Sequence, residues 1–504
     1  MSVIHSLFTP TTVVLLIWLG INFLRKRRSN SMFAKIPQPF GRLPPVLGHV
    51  LLLLKKGVHI TQSSFEGFNN YADKFNEYGL FGFALPIQPT VHIFAPEYVE
   101  KLMKSTTHIN KSSGYYSLVP WLGSGILLSS GEKWYKDRKM MSPAFDYKII
   151  QQFIPIMNKH SLILCNRIET TLNYQIENSL SVLSACALDT ICETSMGVDF
   201  QTQISGDNTY STSIVEFNKL AVQRSLNPLL SSELLYTLTP NGRKSRIMIK
   251  NMHEFTEQII AKRKRTLSMS DDPVNKKQMS LLELLLDIHE RGDGLSLKEI
   301  QYQLDTFVFG GHDTVSNTVA FCLVCLANYT DIQQRLRAEI NQTIDHKSID
   351  ITAEHLACLP YLDMIIKETL RMYTPIPFTG RQLNEDCNFG EYTVPKGTDV
   401  WVNYFALHRN PKYWIEPEKF HPERFSTENS AGRHTFAYVP FSAGLRNCIG
   451  QRYAKLFMKI VISQIVREFE IIPGTKPDDL ELAFEITIKT SKPILLKFKP
   501  LQSE

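Results

Sequence analysis

A ten-residue segment near the C-terminus, residues 441–450, constrains this 504-residue chain more than any other part of it. It reads Phe-Ser-Ala-Gly-Leu-Arg-Asn-Cys-Ile-Gly, so that a single cysteine, Cys448, stands among two glycines, an arginine and a phenylalanine. Five fixed residues at set offsets are expected by chance about once in ten thousand chains of this length, from average amino-acid usage. The segment therefore predicts a loop built around one functional sulfur atom.

The residues around Cys448 are suited to stabilise a thiolate. An anionic sulfur in an apolar interior needs hydrogen-bond donors and positive charge to lower its pKa. Gly444 and Gly450 allow the backbone to curl so that main-chain amides point at the sulfur, and Phe441 can exclude water. From Ile449 onward, apolar residues recur at helical spacing, which predicts a helix whose N-terminal dipole favours a negative charge. A buried structural cysteine is the alternative, but it leaves the neighbours of Cys448 unexplained.

This loop resembles the haem-thiolate loop of cytochromes P450. The resemblance implies that Cys448 is the proximal ligand of the iron in haem b, and that Phe441 and Arg446 also bind this cofactor. Electron release from a thiolate ligand favours cleavage of the O–O bond, which suits oxygen activation. The resemblance also implies the cytochrome P450 fold, mainly α with smaller β-sheets, in which residues 489–498 are expected to form a final β-hairpin.

Two further segments resemble sites that bind the haem propionates in this family. Trp134 and Arg138 match the Trp-x-x-x-Arg pattern, and residues at i and i+4 share one face of a helix. Arg381, shortly after the break at residues 375–377, matches another position that commonly pairs with a propionate. All three residues are therefore expected to bind the cofactor.

A third segment is expected to be structural. Glu368 and Arg371 stand three residues apart on a predicted helix that runs from about residue 361 to residue 373. The resemblance implies that residues 421–425, His-Pro-Glu-Arg-Phe, bring a second arginine to this pair. We interpret the resulting network as support for the core behind the haem loop.

The oxygen-activating residues are expected on a long helix. Residues 304–314 read Leu-Asp-Thr-Phe-Val-Phe-Gly-Gly-His-Asp-Thr and continue as an apolar helical segment to about Leu326. Two adjacent glycines are poor helix formers, so we expect the helix to be interrupted there. The resemblance implies that Thr314 and Asp313 are catalytic, Thr314 at the oxygen and Asp313 as a proton relay. The segment resembles the family 4 group of these enzymes, in which many members carry a glutamate where this chain has Gly310. That carboxylate can esterify a haem methyl, so covalent attachment is not expected here.

The N-terminus predicts a membrane anchor. Residues from about 7 to 24 are largely apolar and, at 1.5 Å per residue, are just long enough to cross a bilayer. The basic cluster 25–28 follows the apolar run, whereas the charges of a cleaved signal peptide, the alternative, precede it. Basic residues stay cytoplasmic, which predicts a membrane protein whose catalytic domain faces the cytosol. The resemblance implies that this membrane is the endoplasmic reticulum. We expect an anchor with its basic flank at 1–28, a proline-rich hinge at 29–50 and a haem-thiolate catalytic domain at 51–504.

Charge and cysteine usage limit the classes of partner that are expected for this chain. The net charge of +6 is spread without the basic stripes that follow a phosphate backbone, so no nucleic acid is expected. Eight cysteines, mostly inside apolar runs, do not resemble a disulfide framework, and Cys322 and Cys325 are expected to be core residues. A basic face is predicted near the cysteine loop, where it could steer an acidic flavoprotein. Its predicted members are Lys133, Lys136, Lys139, Arg452, Lys455 and Lys459.

Together these features resemble the family 4 group of microsomal, insect-like P450 enzymes. The resemblance implies a monooxygenase that inserts one atom of O2 into an apolar substrate such as a fatty acid, terpenoid hormone or xenobiotic. Electrons would come from NADPH through the membrane-bound cytochrome P450 reductase, with cytochrome b5 as a further partner. The substrate pocket is expected to be walled by residues 117–128, 309–310, 376–378 and 487–488. A haem-thiolate isomerase or dehydratase, and a non-enzymatic haem-binding sensor, remain the alternatives.

Overall fold

The structure is a computed structural model, and it describes residues 32–39, 49–84, 89–227, 230, 232–269, 280–292, 294–345, 348 and 350–501. The predicted anchor lies outside the described residues, and of the predicted hinge only residues 32–39 and 49–50 are described. Within the described ranges no single helix is long and apolar enough to cross a membrane. Two helices that meet at a 110° bend, Leu297–Asn328 and Thr330–Thr343, satisfy the length and composition requirement together.

Helices make up most of the described chain. The α-helices are α1 (Ile60–Lys74), α2 (Pro96–Lys104), α3 (Val119–Leu122), α4 (Gly131–Met141), α5 (Tyr147–Gln151), α6 (Ile154–Thr170), α7 (Ser179–Met196), α8 (Thr202–Ser205), α9 (Thr209–Leu226), α10 (Glu233–Leu238), α11 (Pro240–Ser268), α12 (Leu281–Glu290), α13 (Leu297–Asn328), α14 (Thr330–Thr343), α15 (Ala353–Ala357), α16 (Pro360–Met372), α17 (Tyr404–Leu407), α18 (Thr427–Ser430) and α19 (Gln451–Glu468). Short 3-10 helices lie at Val50–Leu53, Ser113–Leu118, Ser142–Phe145, Pro422–Phe425, Thr435–Ala437 and Pro477–Asp479.

The described strands form four small sheets. The strands are β1 (Leu80–Ala84), β2 (Pro89–Ile93), β3 (Gln175–Ile176), β4 (Phe378–Gln382), β5 (Cys387–Phe389), β6 (Tyr392–Val394), β7 (Asp399–Asn403), β8 (Phe469–Ile472), β9 (Leu482–Glu485), β10 (Thr487–Thr490) and β11 (Leu496–Pro500). Their orders are β1-β2-β7-β4, β10-β9, β3-β11-β8 and β5-β6, and only the β2–β7 pairing is parallel. The expected mainly helical fold with smaller sheets is confirmed.

The prediction of a final hairpin over residues 489–498 is wrong. Strand β10 pairs with β9, whereas β11 pairs with β8 and β3 in a separate sheet. The tight turn comes earlier, at Ile486, whose φ of +66° lets the chain reverse between Glu485 and Thr487. The resemblance therefore placed the hairpin too late in the chain.

The long helix α13 forms the centre of the core and packs against α7 and α19. It begins at a capping box in which the Ser296 hydroxyl accepts from the Glu299 N–H and the Glu299 carboxylate accepts from the Ser296 N–H. Residues 315–327 of this helix are all buried and include Cys322 and Cys325, which are core residues as predicted.

The interruption predicted at the two glycines of α13 is not found, since the helix is continuous from Leu297 to Asn328. Gly311 instead allows close packing, because a Cβ atom there would lie 2.8 Å from the side chain of Ile191 in α7. At Gly310 a Cβ atom would meet no atom within 4 Å, so that position borders open space. Gly311 therefore allows close packing against α7, Gly310 leaves space beside the helix, and neither glycine interrupts it.

The predicted network behind the cysteine loop is present. Arg371 donates from Nε to Glu368 Oε2 at 2.7 Å and from Nη2 to Oε1 at 2.9 Å, and both side chains are completely buried. Arg424 Nε adds a bond of 3.2 Å to Glu368 Oε1. Since Arg371 also donates to the carbonyl of His408 at 3.0 Å, the network joins α16 to the segment that follows α17.

His408 continues this network to the cysteine loop, and sequence reasoning missed it. Its Nδ1 lies 2.8 Å from the Thr374 hydroxyl, and its Nε2 accepts from the Val439 N–H at 3.1 Å, just before the loop. Burial holds the pKa of His408 well below its ordinary value, and the charges of Arg371 and Arg409 add to this effect. A neutral imidazole can both donate and accept, which this position requires.

Candidate active site

A cavity of about 740 Å³ lies between α13 and the cysteine loop, within the usual size range of ligand pockets, about 300–1,000 Å³. Most of the predicted site residues line it, namely Trp134, Arg138, Thr314, Phe441, Arg446 and Cys448. Gly310 also lines it. Arg381 and Asp313 are buried but do not reach the cavity wall.

Cys448 stands three residues before α19, as the sequence predicted. Its N–H donates to the carbonyl of Phe441 at 2.9 Å, which closes the loop. The side chain is accessible because it borders the cavity, and protein encloses it on its other sides. Burial raises the pKa of the Cys448 thiol, whereas the Gly450 N–H and the charge of Arg138 lower it. A bound metal ion deprotonates a coordinating thiol outright.

Gly444 shapes the loop by its backbone conformation and by its lack of a side chain. Its φ is +68°, and a Cβ atom there would lie 1.9 Å from the carbonyl oxygen of Met103 at the end of α2. Only glycine satisfies both conditions without strain. The loop is therefore pressed directly against α2.

Gly444→Ala is expected to lower the free energy of unfolding by more than about 2 kcal/mol, because the left-handed conformation alone costs about 1–2 kcal/mol and the clash adds to it. Chemical denaturation of the purified protein measures the effect. Gly432→Ala is the matched control, since Gly432 has a φ of +76° and no atom within 4 Å of its added Cβ. Equal losses in the two variants would contradict the role of the contact with Met103.

Arg446 and Arg138 join the loop to the rest of the site. The Arg446 guanidinium donates to the carbonyls of Ile109 at 3.0 Å and Ile126 at 3.1 Å, and it lies 4.5 Å from the ring centre of Trp134. Arg138 donates to the Asn447 carbonyl at 2.9 Å and to the Asn447 side-chain oxygen at 2.8 Å. The two arginines thus fasten the residues just before Cys448 to α4 and to the segment that precedes it.

Four cations gather at this end of the cavity: Lys111, Arg138, Arg381 and Arg446. None of them forms an ion pair with a carboxylate in the described part of the chain. Burial and the charges of Arg381 and Arg446 hold the pKa of Lys111 well below its ordinary value. Burial, followed by the charge of Arg381, lowers the pKa of Arg446 to about 9. Such a surplus of buried positive charge fits a ligand with more than one anionic group.

Lys111 was not predicted, because a single lysine between polar residues carries no motif. It became recognisable only when the isolated β-bridge between Lys111 and Arg381 brought the two cations together. The haem expected from the resemblance fits these residues, since its two propionates would neutralise the cluster while the thiol of Cys448 supplies a ligand for its iron.

Much of the cavity wall is apolar, and part of it is formed by α13. The Thr314 hydroxyl donates to the Gly310 carbonyl at 2.8 Å, one turn earlier in the helix. Phe309, Ile376 and Phe378 line the cavity as expected. From the terminal hairpin, Phe484 and Ile486 reach the cavity wall, rather than the predicted Thr487 and Ile488. Thr487 instead donates its hydroxyl hydrogen bond to Asp313 of α13, and Ile488, the cross-strand partner of Phe484, is fully buried and does not reach the cavity wall.

Asp313 points away from the cavity, into a buried cluster between α13 and β10. The Thr487 hydroxyl donates to its Oδ2 at 2.6 Å, and Lys489 Nζ donates to its Oδ1 at 2.5 Å. Burial opposes ionisation of this carboxyl, but Lys489, His312 and the two hydrogen bonds outweigh it and lower the pKa of Asp313. Lys489 was not singled out from the sequence, where it reads as an ordinary strand lysine.

The predicted basic face is smaller than expected. Lys459 is buried, where it donates to the Leu356 carbonyl at 2.6 Å and pairs with Asp363 at 3.0 Å. Lys133 is engaged by Glu299 at 3.1 Å. The four exposed members are Lys136, Lys139, Arg452 and Lys455. The two corrections have one cause, since helical spacing alone does not reveal which neighbouring elements carry acids.

Comparison with known proteins agrees with this geometry. The family model described as "Cytochrome P450" matches residues 37–498. The chain is 34% identical to cytochrome P450 4V2 of Rattus norvegicus over 504 residues, covering 98% of this chain and 94% of that protein. It is 35% identical to cytochrome P450 4V2 of Homo sapiens (91% and 88% covered) and 33% identical to cytochrome P450 4c3 of Drosophila melanogaster (98% and 95% covered).

A family match over nearly the whole chain therefore accompanies a cavity that brings a loop cysteine together with buried arginines and the Gly310–Thr314 segment. The chain belongs to the cytochrome P450 family and is a haem-thiolate monooxygenase, an oxidoreductase.

Proposed function

We propose that this enzyme binds haem b through Cys448 and inserts one atom of O2 into an apolar substrate held against α13. The observation that carries the proposal is that one cavity is bordered by the Cys448 thiol, by cations without carboxylate partners and by the hydroxyl of Thr314. Trp134, Arg138 and Arg446 line the cavity and would hold the propionates, and Arg381, buried beside Lys111, would add positive charge. Phe441 would exclude water from the sulfur. Lys111 lines the cavity beside Arg381 and would bind the same anionic groups.

The bound haem supplies the iron centre at which oxygen is activated, and the thiolate ligand favours O–O bond cleavage. The residues of the protein orient the substrate and deliver protons to the reacting oxygen. Thr314 can rotate its hydroxyl from the Gly310 carbonyl towards the cavity, where it can donate a hydrogen bond to the reacting oxygen. Asp313, the preceding residue, would supply the carboxylate of the proton relay from its buried cluster with Thr487 and Lys489. The apolar wall that includes Phe309 and Phe378 excludes bulk water from the substrate.

The haem is proposed to be held without a covalent bond to the polypeptide. Gly310 borders open space and has no carboxylate that could esterify a haem methyl. Extraction with acidified organic solvent is expected to release all haem from the protein, as measured by the absorbance left with the polypeptide. Gly310→Ala, which fits the same space, is the control and should behave in the same way. Haem that stays attached to the wild-type chain would contradict the proposal.

The proposed electron donor is the NADPH-dependent cytochrome P450 reductase, with cytochrome b5 as a second donor. Lys136, Lys139, Arg452 and Lys455 are exposed on α4 and α19, the two helices that adjoin the cysteine loop. Positive charge at this position would attract an acidic flavoprotein at long range. Steering by charge of this kind weakens as salt is raised.

We further propose the domain order and location that the sequence suggested. Residues 1–28 would anchor the protein in the endoplasmic reticulum membrane, residues 29–50 would form a hinge, and the catalytic domain 51–504 would face the cytosol. The apolar run and the basic cluster that follows it support this assignment.

The substrate class is proposed from the cavity, whose lining, which includes Phe309 and Phe484, is mostly apolar. An apolar lining favours apolar substrates, a class that includes fatty acids, terpenoid hormones and foreign compounds. A screen for substrates that change the iron spin state, followed by turnover with reductase, NADPH and ¹⁸O-labelled O2, tests the function. One labelled oxygen atom in the product is expected. An isomerase or dehydratase would transform its substrate without NADPH, and a sensor would bind without any product.

A further inference from the structure

The tip of the β9–β10 hairpin presents two different faces. Phe484 and Ile486 line the cavity, whereas Thr487 and Lys489 point to α13. Thr487 pairs with Glu485 across the turn, and Thr487 and Lys489 share one face because side chains alternate along a strand. The hairpin therefore contacts the substrate space with one side and the acid of α13 with the other.

The ion pair between Lys489 and Asp313 is almost completely buried, with side-chain exposures of 8% and 2%. Lys489 Nζ also donates to the Asn317 side-chain oxygen at 3.1 Å, one turn further along α13. Because the Thr487 hydroxyl holds the other carboxylate oxygen, both oxygens of Asp313 are bonded to β10. The orientation of Asp313 is thus set by the hairpin rather than by its own helix.

A buried carboxylate that lost such a partner would be an uncompensated charge. The charged groups that face Asp313 from the surrounding elements are Lys489 on β10, Glu485 on β9 and His312 on α13. Glu485 is itself an acid, and burial lowers the pKa of His312, so Lys489 is the principal source of positive charge for Asp313. Without Lys489, protonation of Asp313 is the simplest way to avoid the buried charge.

We propose that Lys489 is a positioning residue for proton delivery, which holds the Asp313 carboxylate ionised and oriented beside Thr314. A relay group must be ionised to accept the next proton, and it must point along a constant path. This inference rests on the proposed oxygenase function. It predicts that Lys489 raises the fraction of NADPH electrons that are used to form product rather than hydrogen peroxide.

The two outcomes differ in how the reduced oxygen leaves the enzyme. Coupled turnover converts substrate RH, O2, NADPH and one proton into ROH, water and NADP⁺. When proton delivery fails, O2, NADPH and one proton yield hydrogen peroxide and NADP⁺, and RH is recovered unchanged. Each route transfers two electrons from NADPH through the reductase, so NADPH consumption can continue while product formation falls.

Lys489→Met is expected to lower the ratio of product formed to NADPH consumed by about tenfold, with a matching rise in hydrogen peroxide. The effect is smaller than the factor of 100 or more that a directly acting acid–base group contributes, because Lys489 acts through Asp313. Lys489→Arg keeps the charge and should recover most of the ratio. Thr487→Val keeps the ion pair, removes one hydrogen bond and tests orientation alone; it should give a smaller loss.

An infrared measurement tests the ion pair without turnover. In difference spectra against the wild type, Lys489→Met should show one additional C=O stretching band of a protonated carboxylic acid near neutral pH, and Asp313→Asn/Lys489→Met should lack that additional band. Unchanged coupling in Lys489→Met, or the absence of this band, would overturn the inference. If the Lys489→Met variant shows the band but the wild type transfers no oxygen to any substrate, the proposed function fails and the positioning of Asp313 by Lys489 stands.

Discussion

Replacing Cys448 with alanine is expected to abolish the strongly red-shifted Soret band of the reduced carbon monoxide complex, together with all NADPH-dependent oxygenation. The physical reason is that Cys448 is the one cysteine among the described residues that borders the cavity. Without the sulfur, the iron loses the electron release that favours O–O cleavage. Absorbance spectra of the reduced protein with carbon monoxide measure the first effect, and product analysis measures the second.

Cys358→Ala is the matched control for this variant. Cys358 is the other exposed cysteine of the described chain, but it follows α15 and does not line the cavity. It should keep both the red-shifted band and the activity. Persistence of the band in Cys448→Ala would show that another atom binds the iron, and the assignment of the site would then be wrong.

The second large effect is expected at the buried clamp behind the cysteine loop. Arg371→Met leaves the Glu368 carboxylate fully buried and bound only by Arg424 and the His421 N–H. Removal of one partner from a buried ion pair costs about 3–5 kcal/mol, and here both hydrogen bonds from Arg371 to the buried carboxylate are lost while Arg424 remains its only cation. The variant should therefore unfold at a much lower denaturant concentration and should lose its haem. Denaturation and the haem-to-protein ratio measure the two effects.

An exposed pair with the same spacing provides the control. Lys419 and Glu416 are also three residues apart and lie 3.7 Å from each other, but their side chains are 61% and 67% exposed. Because solvent screens such pairs, Lys419→Met should change stability by less than about 1 kcal/mol. If Arg371→Met were as stable as Lys419→Met, the clamp would contribute no more than a surface pair.

Motifs with fixed offsets were predicted well from the sequence. The cysteine loop, the helix that follows it and the Glu368–Arg371 pair all depend on residues close together in the chain, and the structure places them as expected. The identity of Arg424 as the third member of the clamp came from family resemblance, since 53 residues separate it from Arg371 and no local rule connects them.

Features that depend on neighbouring elements were predicted poorly. Lys459 was assigned to a basic face but is buried against α15 and α16, and the glycines of α13 were expected to interrupt a helix that is continuous. In each case the local pattern was read correctly, but the contact that decides the outcome is made by a distant segment. For Gly311 that contact is Ile191 of α7.

The sequence by itself determined the chemistry of this protein, because a thiolate loop needs its cysteine, glycines and arginine at offsets that are visible along the chain. Only the tertiary structure decided how Asp313 is held, since its partner Lys489 is 176 residues away and β10 reaches α13 only after the chain has folded. The gathering of Lys111 with Arg381 and Arg446 has the same origin. Electrostatic interactions act through space, so their partners become visible only in three dimensions.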